Sequence, residues 1–142
     1  GKLVVQAFLE LDNVQRSIGI ELSPTRYQAA VMAWDTIRHE YNNYLLSSDR
    51  GRRLVLLQGD LLEYDWITDA THVYVASLCF SNAMMHELSQ KLTTSGHGRL
   101  QCLATLKQLP GLDYSRMEYV EMTWTRPNGC PVYFYDFSKN GS

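Results

Sequence analysis

Two carboxylates stand where an apolar strand hands the chain to its next element. Glu21 closes the run "IGIE", and Asp60 closes "LVLLQGD". A carboxylate in that position accepts two O–H donors at once, which suits the paired hydroxyls of a ribose. In dinucleotide-binding folds such an acid lies about 20 residues beyond a glycine-rich turn, and Gly1 lies twenty positions before Glu21. Glu21 alone also reads as an acid that favours the positive N-terminus of the helix after it. Asp60 puts a second acid at the end of the next strand, the rim at which open α/β sheets bind ligands. Together they point to a nucleoside-bearing cofactor.

The acids need elements to hold them. In "SPTRYQAAVMAWDTIRHEYNNYLL", Ser23 is a good N-cap and Pro24 suits the first helical position. Tyr27, Val31, Trp34, Ile37, Tyr41 and Leu45 recur at threes and fours, which predicts an amphipathic helix reaching about Leu46. Strands are expected in "SIGIEL", "RLVLLQGD", "THVYVASLCF" and "GRLQCLATL", with a further helix in "NAMMHELSQKL". Apolar strands alternating with helices predict α/β architecture, a doubly wound and mostly parallel sheet. The end differs: "MEYVEMTWT" and "CPVYFYDFS" are joined by "RPNG", whose Asn128-Gly129 pair signals an antiparallel hairpin.

Bulk properties narrow the class. A chain of 142 residues is expected to form one domain, 1–142, and its 45% apolar and 20% charged residues are those of a soluble globular protein. A net charge of −2 argues against strong autonomous nucleic-acid binding. The basic knot "DRGRR" reads as a solvated loop or a phosphate-binding patch. Cys79, Cys102 and Cys130 form no CxxC pair, which suggests reduced thiols in an intracellular protein, cytoplasmic or nuclear. No apolar run approaches membrane-spanning length, and His39, His72, His86 and His97 lack metal-ligand spacing.

The doubly wound pattern ending in a hairpin resembles the class I, Rossmann-like S-adenosylmethionine-dependent methyltransferases, in which the last strand turns back and inserts antiparallel near the sheet edge. Nicotinamide-binding domains continue with parallel units instead. The resemblance implies S-adenosyl-L-methionine as cofactor. Glu21 would hold its ribose, Asp60 would accept from the adenine amino group, and Leu61 would pack on the ring. "GKLVVQAFLE" looks like the last glycine of the superfamily's Asp-x-Gly-x-Gly-x-Gly turn and the helix after it, although "KLVVQAFLE" also reads as a strand. On that view Gly1 touches the cofactor and the first, central strand precedes it. The slot of that strand, between the strand ending at Glu21 and "VYVAS", would be filled by an N-terminal segment, by another copy of the chain or by rearranged pairing. This stretch alone is expected to bind the cofactor poorly or not at all and to be inactive.

"GKLVVQA", "GDLLEYDW", "VASLCFSNAMMHEL" and "EMTWTRPNGCPVYFYDF" are similar, more narrowly, to the disruptor-of-telomeric-silencing family of histone lysine methyltransferases. Methyl transfer is an in-line displacement that needs positioning and exclusion of water. An apolar channel also helps a lysine acceptor lose its proton, because desolvation lowers its pKa. The resemblance makes Trp124 and Phe134 walls of that channel, while Phe134 also reads as sheet core. Where the family has two asparagines this chain has Ala76 and Ser77, and where it has a channel tyrosine this chain has Phe134. Ser77 is then the candidate polar contact to donor or acceptor. Lys107 reads as lining the acceptor side or as part of a solvated loop.

The expected function is therefore methyl transfer to a protein lysine, with a histone as one such partner. Three alternatives stay open: a catalytically inactive methyltransferase-like binding module, a small-molecule or nucleic-acid methyltransferase, and a nicotinamide-binding domain.

Overall fold

The computed structural model describes residues 1–41, 51–123, 125 and 127–138. The chain divides into two compact units, Gly1–Tyr64 and Asp65–Ser142.

The first unit runs α1 (Lys2–Glu10), β1 (Arg16–Glu21), α2 (Pro24–Glu40) and β2 (Arg53–Gln58). β1 and β2 are parallel, in register from Arg16 opposite Arg53 to Glu21 opposite Gln58. "KLVVQAFLE" is helical, and Gly1 is its N-cap. A Cβ on Gly1 would stand 2.7 Å from Ala30 Cβ, so only glycine lets α1 begin this close to α2. Phe8 is buried and meets Trp34 of α2 edge-on, with ring centroids 5.6 Å apart. The Ser17 hydroxyl donates to Val4 O at 2.8 Å and ties β1 to α1.

α2 starts as its sequence dictates, with the Ser23 side chain accepting from Arg26 N and Pro24 in the first turn. Tyr27, Val31, Trp34 and Ile37 form its half-buried stripe. The helix ends at Glu40, six residues short of the expected Leu46. Leu45 and Leu46 lie outside the described residues.

The second unit holds β3 (His72–Val75), a short 3-10 turn (Ser77–Cys79), α3 (Asn82–Thr94), β4 (Cys102–Thr105), β5 (Arg116–Val120) and β6 (Cys130–Asp136). Its sheet has the order β3-β4-β6-β5. β3 and β4 are parallel, whereas β6 runs antiparallel to both β4 and β5. α3 buries Met85, Leu88 and Leu92 at helical spacing, and its Ser81 cap accepts from Met84 N. Gly129 has φ +75, and a Cβ there would stand 2.9 Å from Val120 O, so the Asn-Gly signal marks a turn that needs its glycine.

The molecule is thus mixed α/β, with three α-helices among the described residues. Its strands fall into one parallel pair and one mixed four-stranded sheet rather than a single doubly wound sheet. The physical reason is the pairing itself: among the described residues the ladders of β1 and β2 join only those two strands. No helix of the described residues is long and apolar enough to cross a membrane.

Candidate cofactor site

Glu21 is the last residue of β1, and its Oε1 gathers three donors. Ser23 N donates at 2.9 Å, Arg26 Nε at 3.1 Å and Arg26 Nη2 at 2.9 Å. The Arg26 hydrogen bonds hold the Glu21 carboxyl below the ordinary glutamate range; partial burial pushes the other way, and the Ser23 amide adds to the lowering. The group is therefore an ionised, oriented acceptor.

Asp60 follows β2. The β1–β2 ladder continues one step past the strands, with Gly59 N donating to Glu21 O at 3.0 Å. The two acids therefore leave the same, carboxyl, end of two hydrogen-bonded parallel strands. Asp60 Oδ1 accepts from Leu62 N at 2.9 Å, and Asp60 O accepts from Glu63 N at 3.1 Å, so a tight turn fixes the residue. Among the described residues, Glu21 Oε2 and Asp60 Oδ2 take no hydrogen bond, which leaves each open to an O–H or N–H donor.

A cavity of about 770 Å³ opens between α1 and α2, with Gly1, Val5, Leu9, Ile37, Glu21 and Arg26 in its wall. Two sequence-predicted residues, Gly1 and Glu21, thus share one cavity. Asp60 and Leu61 belong to the same unit but lie outside that wall. A mostly apolar cleft whose wall also carries Glu21 with Arg26, and Lys2, Gln6 and Glu10 of α1, suits a ligand with an apolar face and hydroxyl donors.

The remaining predicted residues lie in the second unit. Ser77 is fully buried, and its Oγ accepts from Leu106 N at 3.0 Å and Lys107 N at 3.2 Å. Lys107 Nζ donates back to Phe80 O at 2.5 Å, and Thr105 Oγ1 donates to Lys107 O at 2.6 Å. Ser77 and Lys107 therefore pin the turn after β3 to the loop after β4, and Lys107 is not a solvated loop residue. Phe134 is half-buried against the Leu106, Cys130 and Val132 cluster, with the Arg116 guanidinium 3.7 Å from its ring centre. This environment is that of sheet core. Trp124 lies outside the described residues.

Three contributors escaped the sequence reading. Arg26 lies five residues beyond Glu21, past a turn and on the next helix, where no strand or helix period links the two. Arg52, read as part of a basic loop, donates through Nε to Val14 O at 2.7 Å and through Nη2 to Phe8 O and Leu11 O. Its guanidinium also covers the Phe8 ring at 4.5 Å. Tyr135 is buried, its hydroxyl accepts from Leu109 N at 2.7 Å, and burial pushes its pKa up. Lysine and arginine runs give no sign of which member turns inward, and a tyrosine in an apolar strand gives no sign of its distant partner.

No protein-family model and no curated protein sequence matches this chain.

Proposed function

We propose that this chain carries the cofactor-binding part of a class I S-adenosylmethionine-dependent methyltransferase whose acceptor is a protein lysine. The observation that carries the reading is the pair Glu21 and Asp60 at the carboxyl ends of two adjoining parallel strands, each with an oxygen free to accept. The free Glu21 oxygen would take a ribose hydroxyl, and the free Asp60 oxygen would take the adenine amino group. Leu61, beside Asp60, would lie on the ring. The strand order supports the same class, since β6 is inserted antiparallel between β4 and β5, the closing arrangement that the Rossmann-like methyltransferases use. When bound, the cofactor supplies the electrophilic methyl, and the chain's part is to orient it and keep water out.

The test is transfer of tritiated methyl from S-adenosylmethionine to histones, RNA and whole-cell protein. Label on protein lysine is expected, reduced about tenfold or more in Glu21→Ala and in Asp60→Ala, since hydrogen bonds to a charged group are worth about 1.5–3 kcal/mol. Label confined to RNA or small molecules would overturn the lysine assignment.

A second reading is a catalytically inactive methyltransferase-like module that works by binding. It is favoured by Ser77, whose oxygen is committed to two backbone amides, next to Ala76, which has no polar side chain to offer. Binding of S-adenosylhomocysteine without methyl transfer to any acceptor would select it.

A further inference from the structure

β5 is the outer strand of the four-stranded sheet, and among the described residues its ladder joins it to β6 alone. Opposed residues of an antiparallel pair alternate between hydrogen-bonded and non-hydrogen-bonded types. Tyr119 stands opposite Pro131, and proline has no N–H to exchange. The Tyr119–Pro131 pair is therefore of the non-hydrogen-bonded type, and so is Met117–Tyr133, two residues along. The backbone N–H and C=O groups of Met117 and Tyr119 consequently point away from β6, toward the open edge.

Edges are ordinarily blunted by a bulge, a proline or projecting like charges. Here the outward-pointing positions are Met117, 38% exposed, and Tyr119, 66% exposed. The Tyr114 and Tyr133 rings meet edge-to-face at 5.2 Å beside them and extend an aromatic shelf. On the other side of β5, Arg116 and Glu118 pair with each other, so neither projects as an unopposed charge. From Asp113 to Glu121 three carboxylates stand against the single guanidinium of Arg116, already engaged by Glu118 and the Phe134 ring.

We propose that the outer edge of β5 docks an extended, basic peptide segment by strand addition. The main-chain groups of Met117 and Tyr119 hold its backbone. Its apolar side chains lie beside Met117 and Tyr119, and lysines or arginines toward its ends meet the exposed carboxylates of Asp113 and Glu121, which flank β5. The strand edge sets the extended form, and the local charge sets the sign of the partner. This inference does not rest on the methyl-transfer reading, because it uses neither Glu21 nor Asp60.

Fluorescence anisotropy of a labelled peptide alternating lysine and valine, added to the whole chain, tests the proposal. Comparison peptides carry glutamate for lysine, or N-methyl groups on alternate residues that remove main-chain donors. Tyr119→Pro deletes an N–H that the β5–β6 ladder does not use, and edge strands tolerate proline at such positions. The lysine peptide is expected to bind; Tyr119→Pro should weaken it about fivefold, the size of one lost main-chain hydrogen bond, and N-methylation, which removes more than one, by at least as much. Asp113→Asn with Glu121→Gln should weaken it and flatten its salt dependence. Should Tyr119→Pro fail to fold, the N-methylated peptide on the wild-type chain still decides. No binding, equal binding of the glutamate or N-methylated peptide, or self-association of the chain that Tyr119→Pro abolishes would overturn the proposal.

Discussion

The Glu21 carboxylate is oriented before any ligand arrives, because Arg26 and the Ser23 amide converge on one of its oxygens. Its pKa in the folded chain lies below the ordinary value. The stabilisation that follows is fully present above the unfolded glutamate pKa, about 4.3, and is lost as pH falls through the lower folded value. The Arg26 side chain is 72% exposed, so solvent screens the pair and the effect is small. Melting curves between pH 7 and pH 3 should show a shallower acid loss in Arg26→Gln than in wild type; identical slopes would contradict the pairing. Ser77 makes a larger contribution, since its buried oxygen serves two amides. Ser77→Ala should cost about 2 kcal/mol in urea unfolding, the penalty for buried donors left unpaired, with the slope against urea unchanged. At this scale the sequence revealed the acids, because a carboxylate after an apolar run is a local signal. It did not reveal what Ser77 bonds, because Leu106 and Lys107 lie 29 and 30 residues downstream.

Elements were more legible than contacts. The Ser23-Pro24 start, the half-buried stripe of α2 and the Asn128-Gly129 turn follow from local chemistry, and the structure carries all three. The grouping of strands was not legible, because an apolar strand does not name its neighbour. α1 shows how a distant residue completes an element. It begins on Gly1 with no side-chain cap, and at its C-terminal end Arg52 donates to the carbonyls of Phe8 in its last turn, of Leu11 at the cap and of Val14 beyond. Arg52→Met should therefore destabilise the first unit by about 2 kcal/mol, the range for hydrogen bonds to a charged donor, and speed exchange of the α1 amides. Arg52→Lys should not restore them, because an ammonium lacks the planar fork that reaches several carbonyls. Full rescue by lysine would show that charge alone matters.

Across the whole molecule, burial is unevenly shared. In Gly1–Tyr64, Phe8 is the one buried apolar side chain among the described residues, and Leu3, Leu9, Leu11, Ile18 and Leu22 are exposed. Asp65–Ser142 buries Val75, Met85, Leu88, Leu92, Leu103, Val132 and Tyr135, among others. Buried apolar area is the main source of resistance to opening. Native-state hydrogen exchange should therefore find slower amides in β4 and β6 than in β1 and β2; the reverse order would mean that burial does not set local stability here. Composition foretold a chain able to bury a core, but not that the core would concentrate in one of two units, since hydropathy does not say which strands pair.

The central claim is that Glu21 and Asp60 hold a nucleoside at the end of β1 and β2. Titrating S-adenosylhomocysteine into isotope-labelled protein tests it most directly, because amide shifts register even weak binding. The account predicts saturable shifts at Lys2, Leu22, Ser23 and Leu61, reduced in Glu21→Ala, with Arg116 to Val120 unmoved. Shifts confined to Asp65–Ser142, or none at all, would contradict it.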